Sequence, residues 1–387
     1  MRTIVTPIFV GLILSTLSLL AADASPRDVA YAQADTQDIL FTEFRVPIRP
    51  TFGGLVGDIT LGPDNNLWFT ETSGRIGRLS TAGQFRMFAL PEGSNPWRLA
   101  TGPDGNLWFT GDNSIGRFTL AGDVTIFPLP GVRGGFDSWD ITRGGDGNLW
   151  FTEQDSNRIG RITTDGQITE FVVPAEESVP WGITQGTDGN VWFTEIHADK
   201  VARITPEGNI SEFIPPHKYV WDICAGPDGN MWFTQGPMHS IGRITPDDVI
   251  TEFNLWHVYE GAYGITAGPD GNIWFTGQAS DDFIGSVTPD GVVTEYLLPE
   301  AIQWPEQITS GPDGNVWFNA QGSDHKEQKI VRVSRQHGPL APRVGMPDAG
   351  APTSLSLLSF LPAIAIILIA AGIGLLARGD DLAGRKA

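Results

Sequence analysis

Four tryptophans recur at equivalent places along the chain, each two residues before an aliphatic residue that begins a predicted strand. They are Trp97, Trp139, Trp181 and Trp221, and Tyr263 continues the series. Equivalent positions of a closed repeat become neighbours around its axis, so these side chains are expected to surround one mouth of a central channel. Aromatic clusters in concave sites bind ligands. These five, with Trp304 in a loop that leads to the same face, are candidate ligand-binding residues. The alternative is that they pack against loops covering that face.

Carboxylates share this mouth. Asp58, Asp140 and Asp222 each come directly before a first-strand isoleucine, and Glu306 takes the aromatic position in the seventh repeat. Oxygen ligands of this kind hold Mg²⁺ or Ca²⁺, so the three aspartates are candidate metal ligands. The alternative is that they accept hydrogen bonds from backbone N–H groups or face water.

Two histidines also fall in loops that enter this face. They are His217 and His257, and Glu260 follows shortly after His257. A histidine beside a carboxylate is the usual equipment of a general base, which makes His217, His257, Glu260 and Glu306 candidate catalytic residues. Ordinary surface histidines are the alternative. Three further histidines fall in linkers between second and third strands, and we expect them on the opposite face: His197, His239 and His325.

The element that must position these residues is a repeat of about 42 residues. Its core reads GPDNNLWFT from Gly62 and GPDGNLWFT from Gly102, and five close copies follow. The later copies begin at Gly144, Gly186, Gly226, Gly268 and Gly311, so that the spacings are 40, 42, 42, 40, 42 and 43 residues. A fixed period of this length indicates a repeat architecture.

Each repeat divides into four short strands. The Asp-Gly-Asn sequence predicts a tight turn between the first two, because Gly and Asn tolerate positive φ. Asp165 and Gly166 predict a hairpin between the third and the fourth. Four strands in 40 to 45 residues are typical of a propeller blade. We predict an all-β, seven-bladed β-propeller with four-stranded blades over residues 39–334.

The two ends of the repeat region predict how the ring closes. The seventh repeat has a third strand at Lys329–Ser334 but no fourth strand after it, whereas Ile39–Phe44 matches the fourth-strand pattern. The N-terminal strand should therefore complete the last blade. A solenoid would instead need polar capping repeats, and the sequence has none.

The tryptophan of the repeat core has a structural interpretation, since it occurs in every blade. Large flat side chains on second strands can fill the space between neighbouring blades. The seven are Trp68, Trp108, Trp150, Trp192, Trp232, Trp274 and Trp317.

Composition excludes several classes of protein. The net charge of −20 argues against a nucleic-acid partner, because binding a phosphate backbone requires Lys and Arg. Cys224 is the only cysteine, so no intramolecular disulfide and no Cys-rich zinc module is possible. We expect a monomeric propeller.

Both ends of the chain resemble membrane signals. Residues 1–24 predict a cleaved signal peptide followed by a linker at 25–38, with an uncleaved N-terminal anchor as the alternative. A stalk at 335–353 precedes an uncharged apolar stretch at 354–377, long enough to span a hydrocarbon layer of about 30 Å as a helix. The basic tail at 378–387 should be cytoplasmic, which leaves the propeller on the outer face of the membrane.

A short sequence before this stretch gives an alternative mode of attachment. Met346-Pro347-Asp348-Ala349-Gly350 resembles the Leu-Pro-x-Thr-Gly signal that sortases cut, with Met for Leu and Ala for Thr. Sortase attachment to a cell wall is therefore the alternative to a plain membrane anchor.

The repeat resembles that of the virginiamycin B lyase family, most clearly in the WFTE…NRIGRIT…DGQITEF sequence of Trp150–Phe171. The resemblance covers all seven repeats. It implies a seven-bladed propeller that opens the ester of streptogramin B antibiotics by elimination, with a bound magnesium ion. Because many relatives with this repeat have no assigned reaction, the motif indicates the fold better than the chemistry.

The positions of the family's catalytic residues differ here. The resemblance implies two histidines, each two residues before a first-strand isoleucine, and a glutamate two residues before the second histidine. This chain has Tyr263 and Glu306 at the histidine positions and Trp304 at the glutamate position. The departure favours a surface-anchored propeller that binds a small molecule, sugar or peptide. A divergent metal-dependent lyase or hydrolase is the second hypothesis, and a scaffold that binds proteins through its loops is the third.

Overall fold

The structure is a computed structural model that describes residues 39–48, 54–131, 138–236, 240–255, 261–278, 281–323, 327–336 and 340. The predicted signal peptide, linker, transmembrane helix and cytoplasmic tail lie outside these residues, as do Met346–Gly350 and most of the predicted stalk. In the part of the chain that is described, no helix is long and apolar enough to cross a membrane.

The described strands form seven four-stranded antiparallel sheets, which are the predicted blades. The first strand of the chain is β1 (Ile39–Arg45). Blade 1 contains β2 (Val56–Leu61), β3 (Leu67–Glu71), β4 (Arg75–Leu79) and β5 (Phe85–Ala89). Blade 2 contains β6 (Leu99–Thr101), β7 (Leu107–Gly111), β8 (Ser114–Phe118) and β9 (Val124–Pro128). Blade 3 contains β10 (Ser138–Arg143), β11 (Leu149–Glu153), β12 (Arg158–Ile162) and β13 (Ile168–Val172).

The remaining blades follow in chain order. Blade 4 contains β14 (Pro180–Gln185), β15 (Val191–Glu195), β16 (Lys200–Ile204) and β17 (Ile210–Phe213). Blade 5 contains β18 (Val220–Ala225), β19 (Met231–Gln235), β20 (Ser240–Ile244) and β21 (Ile250–Asn254). Blade 6 contains β22 (Ala262–Ala267), β23 (Ile273–Gly277), β24 (Phe283–Val287) and β25 (Val293–Leu297). Blade 7 contains β26 (Ile308–Ser310), β27 (Val316–Gln321), β28 (Gln328–Arg335) and β1.

The ring closes as the sequence predicts. Strand β1 pairs antiparallel with β28, from Ile39 opposite Arg335 to Arg45 opposite Lys329. The Phe44 ring stacks on that of Trp317 with centroids 5.2 Å apart. Residues from the two ends of the propeller therefore share one blade, so unfolding either end opens the ring.

The repeat core builds a recurring side-chain cluster, which blade 3 illustrates; blade 6 has Tyr296 in place of the phenylalanine and Ser286 in place of the arginine. Trp150 Nε1 donates a hydrogen bond to Asp146 Oδ1 at 3.1 Å, and the indole stacks on Phe171 at 5.5 Å between centroids. The Arg161 guanidinium lies 5.3 Å from the centre of the same indole. Its Nη1 donates to the carbonyl of Pro206 in blade 4 at 2.8 Å, so the arginine also links neighbouring blades.

The burial that recurs from blade to blade confirms the structural interpretation of the repeat tryptophans. All seven are at most 2% exposed. Trp150 packs with Ile183, Val191 and Phe193 of the next blade, and Trp317 packs in the same way against blade 1. The hydrophobic core therefore lies between the blades, which leaves the axis of the ring available for polar and aromatic side chains.

Candidate ligand-binding site at the channel mouth

The residues of the mouth are positioned by a chain of hydrogen bonds that passes from blade to blade. Thr194 Oγ1 on β15 donates to the carbonyl of Trp221 in the next blade at 2.6 Å. The same oxygen accepts a hydrogen bond from the backbone N–H of Gly182 in its own blade at 3.0 Å. The register of β14 against β15 shifts between Pro180 and Ile183. Residues 181 and 182 therefore leave the regular ladder, as in a β-bulge.

The same contact recurs around the ring. The threonine-to-carbonyl pairs are Thr70 with Trp97, Thr110 with Trp139, Thr152 with Trp181, Thr194 with Trp221, Thr234 with Tyr263 and Thr276 with Glu306. In blade 7 an asparagine replaces the threonine, and Asn319 Nδ2 donates to the carbonyl of Val56 at 2.8 Å. The buried threonine of the repeat core thus fixes the backbone of each mouth residue.

The five predicted aromatic residues form a continuous arc over blades 2 to 6. We call Trp97, Trp139, Trp181, Trp221 and Tyr263 the aromatic arc. Successive ring centroids are 5.7, 4.3, 5.7 and 4.8 Å apart. Every member is half-buried. Large aromatic surfaces that meet one another but remain partly exposed are available for a ligand.

The aromatic arc forms one wall of a cavity of about 270 Å³. The rest of the cavity lining consists of Leu55, Val56, Gly57, Thr72, Arg98, Asp222, Glu306 and Gln307. The cavity therefore combines five aromatic rings with two carboxyl groups and one guanidinium.

Arg98 is a residue of this site that the sequence analysis missed. Its guanidinium carbon lies 5.0 Å from the centre of the Trp139 ring, and Nη1 donates to the carbonyl of Gly57. The positive charge of Arg98 opposes the rise in the pKa of Asp58, Asp140, Asp222 and Glu306. One arginine thus interacts with four carboxyl groups.

Arg98 could have been found by comparing one position in all seven blades, the position directly after the residue at the channel mouth. The residue type at this position varies from blade to blade. From blade 1 to blade 7 this position holds Asp58, Arg98, Asp140, Gly182, Asp222, Gly264 and Gln307. Gly182 leaves room for the Asp222 side chain, and Gly264 leaves room for the backbone of Glu306. A Cβ atom on Gly182 would approach Asp222 Oδ1 to 2.8 Å.

The three aspartates join the innermost strands of adjacent blades. Asp58 accepts hydrogen bonds from the N–H groups of Ile59 and Leu99, both at 2.7 Å. Asp140 accepts from Ile141 at 2.8 Å and Ile183 at 3.0 Å, and Asp222 accepts from Ile223 at 2.8 Å and Ile265 at 3.3 Å. These are the backbone hydrogen bonds that the sequence analysis gave as the alternative to metal binding.

The described residues at the mouth do not provide a ready metal centre. Throughout the described ranges, no group of three or more His, Cys, Asp and Glu side chains is placed to hold a metal ion. Each of Asp58, Asp140 and Asp222 uses both oxygens on backbone N–H groups. A Mg²⁺ or Ca²⁺ ion stays a prediction from the sequence, and no chemical step below depends on it.

Burial dominates the electrostatics of the carboxyl groups. It raises the pKa of Asp58, Asp140 and Asp222, and for Asp140 the negative charges of the other two add to the rise. Burial also raises the pKa of Glu306, against the charge of Arg98 and a hydrogen bond from Asn319 Nδ2 at 3.2 Å. The site therefore holds protons at pH values where exposed carboxyl groups are ionised.

Two predicted site residues lie away from the cavity. His217 Nδ1 is 2.8 Å from Glu252 Oε2, and His217 does not line the cavity. Trp304 is 46% exposed, and its backbone N–H donates to Asp282 Oδ2 at 2.7 Å. Trp304 is also absent from the cavity wall. His257 and Glu260 lie outside the described residues.

The expectation that the linkers between second and third strands lie on the opposite face is wrong for His197. Its N–H donates to the carbonyl of Ser178, in the loop that enters blade 4, at 3.0 Å. The second strand runs antiparallel to the first, so its end returns to the face where the first began. His239 and His325 are not among the described residues.

Comparisons with known proteins agree with this geometry. The model of the "Virginiamycin B lyase family" matches residues 36–220 and 215–342. A streptogramin B lyase structure is 33% identical, with 78% of this chain and 100% of that chain covered and a TM-score of 0.70. Virginiamycin B lyase from Staphylococcus aureus is 31% identical, with coverages of 76% and 99% and a TM-score of 0.69.

A third structure is a catalytically inactive histidine-to-alanine variant of the S. aureus enzyme with quinupristin. It is 32% identical, with 76% of this chain and 99% of that chain covered and a TM-score of 0.68. No curated protein sequence matches this chain significantly. The family model spans most of the chain and all seven blades, and so the chain belongs to the virginiamycin B lyase family.

Proposed function

We propose that this protein is a binding propeller, anchored on the outer face of a cell membrane, that takes a small organic ligand into its channel mouth. The observation that carries the proposal is the cavity of about 270 Å³ between the aromatic arc and Glu306. Concave sites with mostly aromatic walls and a few polar groups are the usual form of small-molecule sites. Aromatic rings also bind sugars and peptide side chains, so the ligand class includes both.

The family positions favour binding over the lyase reaction of the relatives. Tyr263 and Glu306 take the places where the resemblance implies histidines, and Trp304 takes the place of a glutamate. Both Tyr263 and Glu306 line the cavity, whereas Trp304 does not. This chain thus has a cavity at two of the positions where the resemblance implies acid–base groups, and other residues replace those groups.

One observation supports a second candidate function, a divergent lyase. Glu306 lines the cavity, and burial raises its pKa. A carboxylate of raised pKa is a stronger base than an exposed one. In an ester elimination it would take the proton next to a carbonyl, the electron pair would form a carbon–carbon double bond, and the ester carboxylate would leave.

Binding is tested with a small panel of probes. The full-length chain is titrated with quinupristin, chitotetraose and a phenylalanine-containing tetrapeptide, with intrinsic tryptophan fluorescence as the readout. We expect at least one probe to quench the fluorescence, because four of the five residues in the aromatic arc are tryptophans. The Trp139→Ala/Trp181→Ala variant should lose this quenching and keep a melting temperature close to that of the wild type.

Trp304→Ala is the matched control, since it removes an exposed tryptophan outside the cavity. It should leave the quenching intact. Quenching by no probe would remove the support for a ligand site and favour a scaffold that binds proteins through its loops. A large fall in melting temperature of the double variant would show that the arc is a packing element.

The lyase candidate has its own assay. Quinupristin is incubated with the protein and MgCl₂, and ring opening is followed against an EDTA-treated control and the Glu306→Gln variant. Turnover that rises with pH and disappears in Glu306→Gln would support a Glu306 base. Absence of turnover above the EDTA control discards this substrate.

A further inference from the structure

Among the described residues that line the cavity, acidic groups outnumber basic ones. Arg98 is the single cation in this set, beside the carboxyl groups of Asp222 and Glu306. Four carboxyl groups interact with it, those of Asp58, Asp140, Asp222 and Glu306. An anionic ligand would oppose the ionisation of these carboxyl groups, whereas a cation beside them would favour their ionised form and be attracted to it.

The carboxyl groups are not equivalent with respect to a ligand. Asp58, Asp140 and Asp222 accept backbone hydrogen bonds between the innermost strands of adjacent blades, and these contacts hold them in place. Glu306 instead stands in the ring of mouth residues, in the gap that the aromatic arc leaves open, and accepts a side-chain hydrogen bond from Asn319. A charged group held by the arc would therefore face Glu306.

The aromatic arc already accommodates a cation within the protein. The guanidinium carbon of Arg98 lies 5.0 Å from the centre of the Trp139 ring, within the range of a cation–π contact. Tryptophan is the most favourable ring for such contacts, and the arc contains four of them.

The shape of the arc also favours a rounded group over a flat one. Successive rings are inclined to one another by 28°, 41°, 76° and 46°. The ring planes are thus not parallel and the wall they form is not flat, a feature shared with the aromatic cages that hold quaternary ammonium groups. A sugar ring, which stacks on one flat face, uses such a wall less well.

From the charge and the shape together, we infer that the ligand presents an organic ammonium group, held by the aromatic arc opposite Glu306. The inference rests on the proposed function, because it specifies the ligand of the same cavity. A small ammonium compound and the lysine side chain of a peptide both present this group, and the experiment separates these sources.

The test compares two probes of the same shape and different charge. The full-length chain is titrated by calorimetry at pH 8 with choline and with 3,3-dimethylbutan-1-ol, in which carbon replaces the charged nitrogen. Choline should bind at least about tenfold more tightly, a difference within the range of a cation–π contact that is partly shielded from water.

The amide of N-acetyl-trimethyllysine is the probe that represents a peptide ligand. Tighter binding of this lysine derivative would assign the group to a peptide, and tighter binding of choline would assign it to a small molecule.

Variants locate the group within the cavity. Glu306→Gln keeps the size of the side chain and removes its charge, and Trp181→Ala removes one ring of the arc. Each should weaken choline binding by about tenfold. Trp181→Phe, which retains an aromatic face, should recover part of the loss, and Trp304→Ala should bind as the wild type does. Melting temperatures identify any variant that fails to fold.

The outcomes separate this inference from the proposed function. Equal binding of choline and its neutral analogue, or no choline binding by a protein that binds another probe of the panel, would overturn the ammonium inference and leave the ligand site in place. If no probe of either kind binds, the proposed function fails as well. Choline binding that is unchanged in both Glu306→Gln and Trp181→Ala would place the ammonium group elsewhere and also overturn the inference.

Discussion

The guanidinium of Arg98 in blade 2 lies over the indole of Trp139 in blade 3, with 5.0 Å between the guanidinium carbon and the ring centre. The same side chain donates to the carbonyl of Gly57 in blade 1. Arg98 therefore contacts the blades on both sides of its own, and its charge acts on the carboxyl groups around the axis. It joins the aromatic and the acidic parts of the channel mouth.

Removing the charge of Arg98 should make stability more dependent on pH. Arg98 lowers the pKa of Asp58, Asp140, Asp222 and Glu306, which burial raises. A carboxyl group with a raised folded-state pKa stabilises the fold below its unfolded pKa, and this stability is lost as the pH rises through the folded value. Arg98→Gln should therefore lose more stability at pH 8.5 than at pH 5, by about 1–3 kcal/mol.

Denaturant unfolding of wild type and Arg98→Gln at the two pH values measures this difference. An equal loss of stability at both would show that Arg98 acts by packing and hydrogen bonding alone.

Substituting two buried glutamates at the same position of different blades should have opposite effects on stability at pH 7.5. Glu195 is buried, and burial, with the nearby charge of Glu212, raises its pKa to about 7. Between pH 4.5 and pH 7 the unfolded chain releases the proton of Glu195 while the folded protein keeps it, so rising pH destabilises the fold. Glu195→Gln should show a smaller loss of unfolding free energy across this interval than the wild type, by about 1–3 kcal/mol.

Glu71 is the matched control at the end of β3. Its Oε2 lies 2.6 Å from Arg75 Nε, in an ion pair that is almost completely buried. Glu71→Gln removes one partner of this pair and should destabilise the protein at neutral pH. If Glu195→Gln and Glu71→Gln changed the free energy of unfolding at pH 7.5 in the same direction, the two glutamates would not have the different environments described above.

Much of the fold follows from the sequence because the repeat fixes it many times over. The GPDGNxWFT core specifies a turn, a strand and the Asp–Trp hydrogen bond in each blade, and the N-terminal strand predicts the closure. The aromatic arc was also predictable, because equivalent positions of a ring converge on its axis. All these features depend on residues that recur at a fixed spacing.

The parts of the site that do not repeat were harder to predict. Arg98 occurs once, in a position where other blades have Asp, Gly or Gln, and its role depends on carboxyl groups from four other blades. Trp304 was assigned to the mouth by its type and loop, but its backbone conformation, with φ of 53°, and its hydrogen bond to Asp282 accompany an exposed side chain outside the cavity. Single positions in irregular loops have no second copy against which to check them.

The contact that closes the ring should matter more than its counterparts elsewhere. Phe44 and Phe171 each stack on the core tryptophan of their own blade, at 5.2 and 5.5 Å. Only Phe44 belongs to the strand that comes from the other end of the propeller. Both rings are half-buried, so Phe44→Ala and Phe171→Ala should each cost less than the roughly 3–5 kcal/mol of a fully buried phenylalanine. Only Phe44→Ala should increase hydrogen exchange along β28.

Hydrogen exchange with peptide resolution distinguishes the two variants. Equal protection of β28 in both would show that β1 stays in place without the stacking contact, and that the backbone pairing alone closes the ring.

The central claim is that the cavity between the aromatic arc and Glu306 is the ligand site. The most direct measurement is a crystal structure of the full-length chain with the probe that binds most tightly. The account predicts density for the probe in contact with Trp139 and Trp181 and facing Glu306. Density for the probe at another surface, with only water at the channel mouth, would contradict it.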